Sequence, residues 1–314
     1  FNIAVGGGLS TTHGNPATYA RLATVIGFAG SEEKTLKAIY EIATIQRDYG
    51  NRSDRKLARL KYTLDKYGVD WFIKELEKRT GFVLAPAMEY TFTDRGDYYG
   101  WKQNAEGLWY YTVFIENGRI LDDEKAALKS ALLEVAKTGK ANFRFTCNQN
   151  VIISDVQPAD KQSIHAVLEQ FQIISHTETT GIVRKNSMAC VAFPTCPLAL
   201  AEAQRYLPGL IGKIEVLLNK HALTQEEIII RMTGCPNGCA RSYIAEIGFA
   251  GTAYGKYNMH LGGDHCGMRL NSIYRENLAE EEILIELDGL FFLFKTERNK
   301  QEGFGDFVIR KGLV

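Results

Sequence analysis

The stretches ACVAFPTC (residues 189–196) and TGCPNGC (residues 233–239) decide the interpretation of this chain, because together they hold four cysteines in two close pairs. Cys190 and Cys196 form the first pair, Cys235 and Cys239 form the second, and roughly forty residues separate the two. Thiolates are soft ligands that select zinc, Cu(I) or iron–sulfur clusters. The arrangement therefore predicts four thiolates around one metal centre.

The spacing of the pairs favours an iron–sulfur cluster over zinc. Structural zinc sites usually pair their cysteines at about two to four intervening residues, and the first pair here is wider. Gly234 and Gly238 flank the second pair, and glycine allows backbone to approach closely, which leaves peptide N–H groups free to donate to cluster sulfurs and tune their potential. A zinc site and simple buried thiols remain alternatives. Disulfides are disfavoured because the chain opens with no secretory signal, and Cys147 and Cys266 are interpreted as packing residues.

The sequence around the four cysteines resembles the nitrite and sulfite reductase family, and within it the assimilatory sulfite reductase hemoprotein (beta) subunits, which carry siroheme and a 4Fe-4S cluster. The likeness runs along the whole chain, and it implies the C-terminal portion of a longer protein. The stretches that carry it are NSMACVAFPTCPLALAEAQRYLP, MTGCPNGC, VGGGLSTTHG, QRDYGNRSDRKLARLKYTL, FIENGRILD, FRFTCNQNVII, YNMHLGGDHCGMR and EGFGDFVIRKG.

The resemblance implies roles for the residues of the two pairs. Cys190, Cys196, Cys235 and Cys239 match the four ligands of the 4Fe-4S cluster. Cys239 also matches the cysteine that bridges the cluster to the siroheme iron, and Asn237 matches a residue that lies against the siroheme. These assignments predict that both cofactors meet at the second cysteine turn.

A second constellation concerns the charge of the cofactor. Siroheme is a polycarboxylate, and burying such an anion requires matching cations, preferably arginine. Arg52, Lys56 and Arg59 fall at helical spacing on a predicted helix over residues 52–66, with Arg55 alongside. By itself this run is typical of a solvated helix face. The resemblance implies instead that Arg55, Lys56 and Arg59 contact the siroheme carboxylates as a group.

A third candidate region is FRFTCNQN (residues 143–150), which alternates like a strand and ends in polar residues. From the residues alone it is a strand and a turn. The resemblance implies that the turn meets the siroheme, with Gln149 as the first contact and Thr146 and Asn150 as further ones. No Gly-x-Gly-x-x-Gly fingerprint follows a strand, so a nicotinamide site is not predicted.

Composition bounds the class of protein. The chain has 314 residues, of which 45% are hydrophobic and 24% charged, and its 37 basic residues balance its 37 acidic ones. Zero net charge argues against wholesale binding to nucleic acid or to an anionic membrane. The longest apolar runs fall short of the roughly 20 residues that span a bilayer. We therefore expect a soluble cytoplasmic protein without nucleic-acid or membrane partners.

The pattern of elements predicts an α+β (mixed α/β) fold of several domains. Residues 1–100 are expected to form the C-terminal part of a central siroheme-facing domain, residues 101–178 a ferredoxin-like half-domain with an antiparallel sheet, and residues 179–314 the cluster and siroheme domain. The principal predicted helices cover residues 32–47, 52–66, 69–79, 124–138, 158–172, 198–221 and 280–299.

The resemblance implies an oxidoreductase that reduces sulfite to sulfide with six electrons, in sulfur assimilation and cysteine biosynthesis. The electron donor would be an NADPH-linked flavoprotein subunit or ferredoxin. The arginines and lysines that face substrate are expected in the missing N-terminal half, so no catalytic residue is assigned here. The segment alone is predicted to be inactive. Either cofactor can be absent from it, and siroheme in particular would keep only one wall of its pocket. Ferredoxin-dependent nitrite reductase, a non-catalytic iron–sulfur electron-transfer module and a zinc-stabilised module are the alternatives.

Overall fold

The chain folds around three hydrophobic cores that follow one another along the sequence. The computed structural model describes residues 1–314 throughout. The cores are built from residues within 3–84, 111–173 and 183–308, and the third is the largest, with 29 buried residues against 9 and 13. The predicted mixed α+β class is confirmed, while the boundaries near residues 100 and 178 stay a prediction.

The first unit pairs a small hairpin with three helices. Strands β1 (Asn2–Val5) and β2 (Thr24–Phe28) are antiparallel. Helix α1 (Glu32–Tyr49) begins where the Ser31 side chain accepts a hydrogen bond from the Lys34 amide, an N-cap that satisfies a free helix donor. Helices α2 (Leu60–Tyr67) and α3 (Val69–Thr80) complete the unit. A loop, residues 6–23, joins the strands and reaches towards the second cysteine pair.

The predicted helix over residues 52–66 is wrong in its first half. Only a single 3-10 turn, Arg55–Leu57, forms before α2, and Arg59 is the N-cap of α2 rather than part of it. The side chain of Asn51 accepts from the amides of residues 53 and 54, and Asp54 accepts from the Lys56 amide. Such local bonds compete with helix formation, so Arg52, Lys56 and Arg59 do not share a helix face.

The second unit is a four-stranded antiparallel sheet with helices packed into the same core. Its strands are β3 (Gly100–Gln103), β4 (Trp109–Val113), β5 (Asn142–Phe145) and β6 (Val151–Val156), in the order β3-β4-β6-β5. Helices α4 (Leu128–Thr138), α5 (Lys161–Gln170) and α6 (Ile173–Thr179) follow β4 and β6. Buried residues of all three helices join those of β4 and β6 in one core, as the alternating sequence pattern predicts.

The elements of the third unit are α7 (Ile182–Lys185), β7 (Ser187–Ala189), α8 (Leu207–Lys220), β8 (Ile230–Thr233), β9 (Ile247–Ala253), β10 (Lys256–Leu261), β11 (Ser272–Leu278), α9 (Glu280–Glu297) and α10 (Phe304–Arg310). Its five strands form one mixed sheet in the order β11-β10-β9-β8-β7. Strands β7, β8 and β9 are parallel, whereas β9, β10 and β11 are antiparallel. Buried residues of helices α8 and α9 join the sheet in the largest core.

The helix predicted from residue 198 begins only at Leu207. Residues 198–206 form turns instead, because the amides of Leu200 and Ala201 both donate to the Gly234 carbonyl, at 2.7 and 3.0 Å. A backbone amide used in this way is not available to a helix. Residues 198–206 therefore support the second cysteine pair, because two of their amides hold the residue that precedes Cys235.

The pairing of β7 with β8 positions both cysteine pairs. Cys190 directly follows β7, and Cys235 follows β8 after one glycine. The two strands are parallel neighbours, with Ala189 opposite Met232, so their carboxyl ends meet at one edge of the sheet. None of the helices combines the length and the apolarity that a membrane crossing requires.

Candidate metal centre and its neighbouring cavity

The four paired cysteines lie together at the carboxyl ends of β7 and β8. The Gly234 amide donates a hydrogen bond to Cys190 Sγ at 3.3 Å, which ties the first pair to the second turn. The Cys190 thiol is within electrostatic reach of Cys235 and Cys239, and Cys239 is within reach of Cys235 and Cys196. Residues that are up to 49 positions apart therefore share one site.

The donor set of the site consists of four thiols. No group of three cysteine, histidine or carboxylate side chains in the molecule lies close enough to hold a single metal ion. A structural zinc site needs four ligands at about 2.3 Å from one point, whereas the cysteines of an iron–sulfur cluster bind different irons and stand further apart. The all-thiol donor set suits an iron–sulfur cluster, and the five residues between Cys190 and Cys196 favour a cluster over zinc.

Burial and backbone amides set the electrostatics of the thiols. Burial raises the pKa of Cys190, and the amides of Gly234 and Ala192 partly offset that rise. Burial also raises the pKa of Cys239, and the neighbouring thiols of Cys235 and Cys196 raise it further. Metal ligands must be thiolates, so binding here releases protons. The amides aimed at sulfur are the donors that would stabilise the thiolate form.

Gly234 permits the close approach of the two cysteine turns. A Cβ atom at this position would lie 2.6 Å from the Ala192 side chain and 2.6 Å from the Ala201 carbonyl oxygen. Separations under about 3 Å are not tolerated by packed backbone. Only glycine therefore allows the segment between the first pair and the segment before the second to touch.

A polar cavity of about 270 Å³ lies beside the second pair. Arg55, Lys56 and Arg59 line it together with Asn237, so the structure brings together four residues that the sequence predicted for one cofactor. Ser10, Thr12 and Tyr62 complete its wall. The charge of Arg59 is near enough to Cys239 to favour its thiolate. Arg52 is elsewhere, since its guanidinium donates to the carbonyls of residues 46 and 47.

The loop of the first unit holds the second cysteine turn. Ser10 Oγ donates to Asn237 Oδ1 at 3.0 Å, and the amide and hydroxyl of Thr11 donate to the Pro236 carbonyl at 3.1 and 2.9 Å. Tyr243 donates to the same carbonyl at 3.0 Å. Ser10 and Thr11 were not assigned from the sequence, because their partners lie more than 220 positions away; the only signal was their place in VGGGLSTTHG.

Lys61 of α2 holds the loop of residues 6–23 through hydrogen bonds to its backbone. Its side chain is almost fully buried, and its ammonium donates to the carbonyls of Gly8 and Ser10, both at 3.0 Å, and to that of Tyr19. Burial lowers the pKa of Lys61. A buried ammonium that meets three carbonyls and no carboxylate fixes the path of the loop. Nothing in the local sequence distinguishes Lys61 from the exposed lysines around it.

The residues predicted from FRFTCNQN lie outside this cavity. Gln149 Nε2 donates to the Ala189 carbonyl at 2.9 Å, so it braces the peptide just before Cys190. Thr146 and Asn150 both donate to Asp97, each at 2.7 Å. The structure thus gives all three residues protein partners, and their contact with siroheme stays a prediction.

Histidines do not contribute to the candidate centre. His260 is buried, its ring packs edge-to-face on Tyr243 at 5.1 Å, and burial lowers its pKa to about 4. His13 lines a second cavity, of about 700 Å³, together with His260.

Two family models match the chain. The description "Nitrite and sulphite reductase 4Fe-4S domain" applies to residues 1–84, and "Nitrite/Sulfite reductase ferredoxin-like half domain" applies to residues 102–171. The second match confirms the predicted half-domain. The first match covers the loop of residues 6–23 and the segment that contains Arg55, Lys56 and Arg59, but none of the six cysteines. The assignment of the cysteines as candidate ligands therefore depends on the geometry described above.

Relatives match over the full length of this chain. A sulfite reductase [NADPH] hemoprotein beta-component of Leptospira biflexa is 58% identical over 314 residues, and one of Lysinibacillus sphaericus is 52% identical. The chain spans 56% and 54% of those two proteins. Among solved structures, the Mycobacterium tuberculosis NirA protein superposes with a TM-score of 0.81 at 26% identity, over 98% of this chain and 57% of that one.

Proposed function

The chain belongs to the nitrite and sulfite reductase family, and from that premise we propose that it is the cluster-bearing part of a cytoplasmic sulfite reductase. The reaction is the six-electron reduction of sulfite to sulfide, which serves sulfur assimilation and cysteine biosynthesis. One observation carries the proposal: four thiols converge beside a cavity whose three cations form no salt bridge. Nitrite as the natural substrate is less favoured, because the relatives are named sulfite reductases.

Cys190, Cys196, Cys235 and Cys239 would hold a 4Fe-4S cluster. Two features of the site fit this group: an all-thiol donor set and an amide that already donates to Cys190 Sγ. The partly buried position lowers the local dielectric, which strengthens the effect of such amides on the cluster potential. The protein thus contributes the ligands and the electrostatic environment.

Siroheme would occupy the neighbouring cavity. Arg55, Lys56 and Arg59 supply the positive charge that its carboxylates require, and Asn237 lies at the wall shared with the second cysteine pair. Cys239 is the ligand common to both cofactors in this proposal. The bound cofactors would supply the redox chemistry, while the chain orients them and keeps them adjacent.

The electron donor and the substrate-binding residues belong to the wider protein. An NADPH-linked flavoprotein subunit is the donor proposed here, in line with the names of the relatives, and ferredoxin is the alternative. Arginine and lysine side chains that bind and protonate sulfite are proposed to come from sequence that this chain does not contain. Accordingly, we expect this chain alone to bind a cluster but not to reduce sulfite.

Anaerobic reconstitution with iron and sulfide tests the ligand assignment. We expect about four irons and four labile sulfides per chain and loss of most of both in the Cys190→Ser, Cys235→Ser and Cys239→Ser variants. Cys147→Ser and Cys266→Ser are matched controls, because they remove a thiol outside the pairs. Full iron content in the paired-cysteine variants, or zinc in place of iron in the purified protein, would contradict the proposal.

A second experiment tests the cavity. Siroheme added to the reconstituted chain should bind with a visible absorbance change, and Arg55→Gln or Arg59→Gln should weaken that binding about tenfold, the effect of losing one charge-assisted bond. Lys66→Gln, which removes an exposed cation elsewhere in the same segment, is the control. Equal binding by all the variants would show that these cations do not serve the cofactor.

A further inference from the structure

Three further arginines meet at a place that no cofactor assignment uses. Arg95 lies in the segment between α3 and β3, Arg231 in β8, and Arg241 just after the second cysteine turn. Their charges act on one another, and each neighbour disfavours the charged form of Arg231. Side chains of like charge do not gather in a folded protein without compensation. This group is called the arginine triad below.

Arg231 is the most buried member of the arginine triad. Only 4% of its surface is exposed. Nη1 contacts Met188 Sδ at 2.9 Å and Nη2 donates to Asn148 Oδ1 at 3.2 Å, while Nε has no partner. Burial lowers the pKa of Arg231 well below its usual value. A buried guanidinium that meets no carboxylate destabilises the folded state unless an anion compensates its charge.

The other two members also lack acceptors of negative charge. Arg95 donates through Nη1 to the Ile244 carbonyl at 2.9 Å, but its Nε and Nη2 are shut off from solvent and have no partner. Arg241 donates to the Cys147 carbonyl at 2.8 Å and to Asn148 Oδ1 at 2.7 Å. Every acceptor in the arginine triad is neutral. Three guanidinium nitrogens, two of Arg95 and one of Arg231, therefore have no hydrogen-bond partner.

Neighbouring side chains are already engaged and cannot fill this role. Asn148 is fixed with its oxygen towards the arginines, since its Nδ2 donates to the Arg95 carbonyl at 2.9 Å. The Glu246 carboxylate accepts from the amides of Ile229 and Gly305, both at 2.9 Å. Asp97 accepts from Thr146 and Asn150 instead. The charges of Glu246 and Asp264 favour the charged form of Arg95, but neither carboxylate accepts a hydrogen bond from the arginine triad, and no carboxylate contacts Arg231 or Arg241.

We propose that Arg95, Arg231 and Arg241 form a binding site for a small inorganic oxyanion of the sulfate, phosphate or sulfite class. Guanidinium groups present N–H donors in the planar fork that suits such oxygens. The anion would enter beside Cys147 and Arg241, where the arginine triad is open to solvent. None of the three arginines lines the cavity proposed for siroheme, so the site is separate and does not depend on the proposed function.

Thermal unfolding of this chain tests the site, with sodium sulfate compared to sodium chloride at equal ionic strength. Sulfate at about a hundred times its dissociation constant should raise Tm by about 3–6 °C more than chloride. The Arg231→Met variant should lose that difference. It should also melt higher than the unmodified chain in chloride, because it removes an uncompensated buried charge.

Three further variants keep the outcome decisive. Arg241→Gln, at the exposed side, should weaken sulfate binding at least tenfold by calorimetry even if Arg231→Met does not fold. Arg144→Gln is the control, because it removes an exposed arginine of β5 that pairs with Asp155. This variant should keep the full sulfate effect. A sulfate effect that is absent from the unmodified chain, retained in Arg241→Gln, or abolished by Arg59→Gln in the other cationic cavity would overturn the proposal.

Discussion

The two cysteine turns of the candidate centre are held by different parts of the molecule. The first turn, residues 190–196, follows β7 and is braced by the second unit, since Gln149 donates to the Ala189 carbonyl. The Gln204 amide donates to the Cys190 carbonyl, and the Gln204 side chain bonds Asn117 of the second unit. The second turn, residues 235–239, is held by the loop of the first unit through Ser10 and Thr11.

The candidate centre therefore lies where the three units meet. The four thiols belong to the third unit, but their positions depend on side chains from the other two. A defect in either support should therefore disturb one pair of ligands before the other. Variants that damage one contact at a time can separate the two turns.

Gly234→Val should have the largest effect, because it separates the turns from each other. The added side chain would collide with Ala192 and with the Ala201 carbonyl, and overpacking of this kind costs about 3 kcal/mol. We expect urea unfolding to show that loss and reconstitution to fail to retain iron. Gly209→Ala in α8, where a Cβ meets nothing within 4 Å, is the matched control and should leave both unchanged. Normal iron content in Gly234→Val would show that the two turns need not touch.

Acid should weaken the support of the second turn through His260. Burial lowers its folded pKa to about 4, whereas the unfolded value is about 6.5. The unfolded state therefore binds more protons between these values, so the contribution of His260 is complete above about pH 6.5 and is lost as pH falls through about 4. We expect about 2 kcal/mol less stability at pH 4.5 than at pH 7.5 from this group.

The His260→Phe variant provides the comparison, because its ring can keep the contact with Tyr243. Urea unfolding at the two pH values should show a smaller loss in this variant than in the unmodified chain. The same pH dependence in both proteins would assign the effect to other groups. Tyr243 fluorescence would report whether the second turn responds first.

Ser10→Ala and Gln149→Ala should have smaller and opposite consequences for the two turns. Each removes side-chain hydrogen bonding worth about 1 kcal/mol. Losing Ser10 frees Asn237 and the second turn, whereas losing Gln149 frees the Ala189 carbonyl before the first. Alkylation of the four thiols, mapped by mass spectrometry, should speed up at Cys239 in the first variant and at Cys190 in the second. Identical patterns in both variants would remove the distinction between the turns.

Arg59→Gln should have the smallest effect on stability. Arg59 forms no salt bridge and lines an open cavity, so its loss should change the free energy of unfolding by less than about 0.5 kcal/mol. Its charge favours the Cys239 thiolate, so the variant should slow alkylation of Cys239 relative to Cys190. A stability loss of more than about 1 kcal/mol would indicate a structural role instead.

Local sequence patterns indicated the four cysteines as candidate ligands, and the structure brings them together, but those patterns did not indicate the side chains that support them. The four cysteines and Asn237 stand in compact motifs, and the alternation of β4 and β6 predicted the antiparallel half-domain. The predicted helix over residues 52–66 is wrong in its first half, because the side chains of Asn51 and Asp54 accept hydrogen bonds from the backbone amides of Ser53 and Lys56. Ser10 and Lys61 could not be found, since their contacts depend on tertiary structure and leave no periodic signal.

The parallel pairing of β7 and β8 brings together cysteines that are far apart in the sequence, so a cluster bound there would also constrain the unfolded chain. A cluster held by Cys190 and Cys239 would join points 49 residues apart across the crossover that contains α8. In the manner of a disulfide, such a cross-link lowers the conformational entropy of the denatured ensemble, by about 4 kcal/mol for a loop of this length. A bound cluster would therefore cross-link the third unit and stabilise its folded state. Oxidative loss of the iron would remove this cross-link and lower the Tm of the protein.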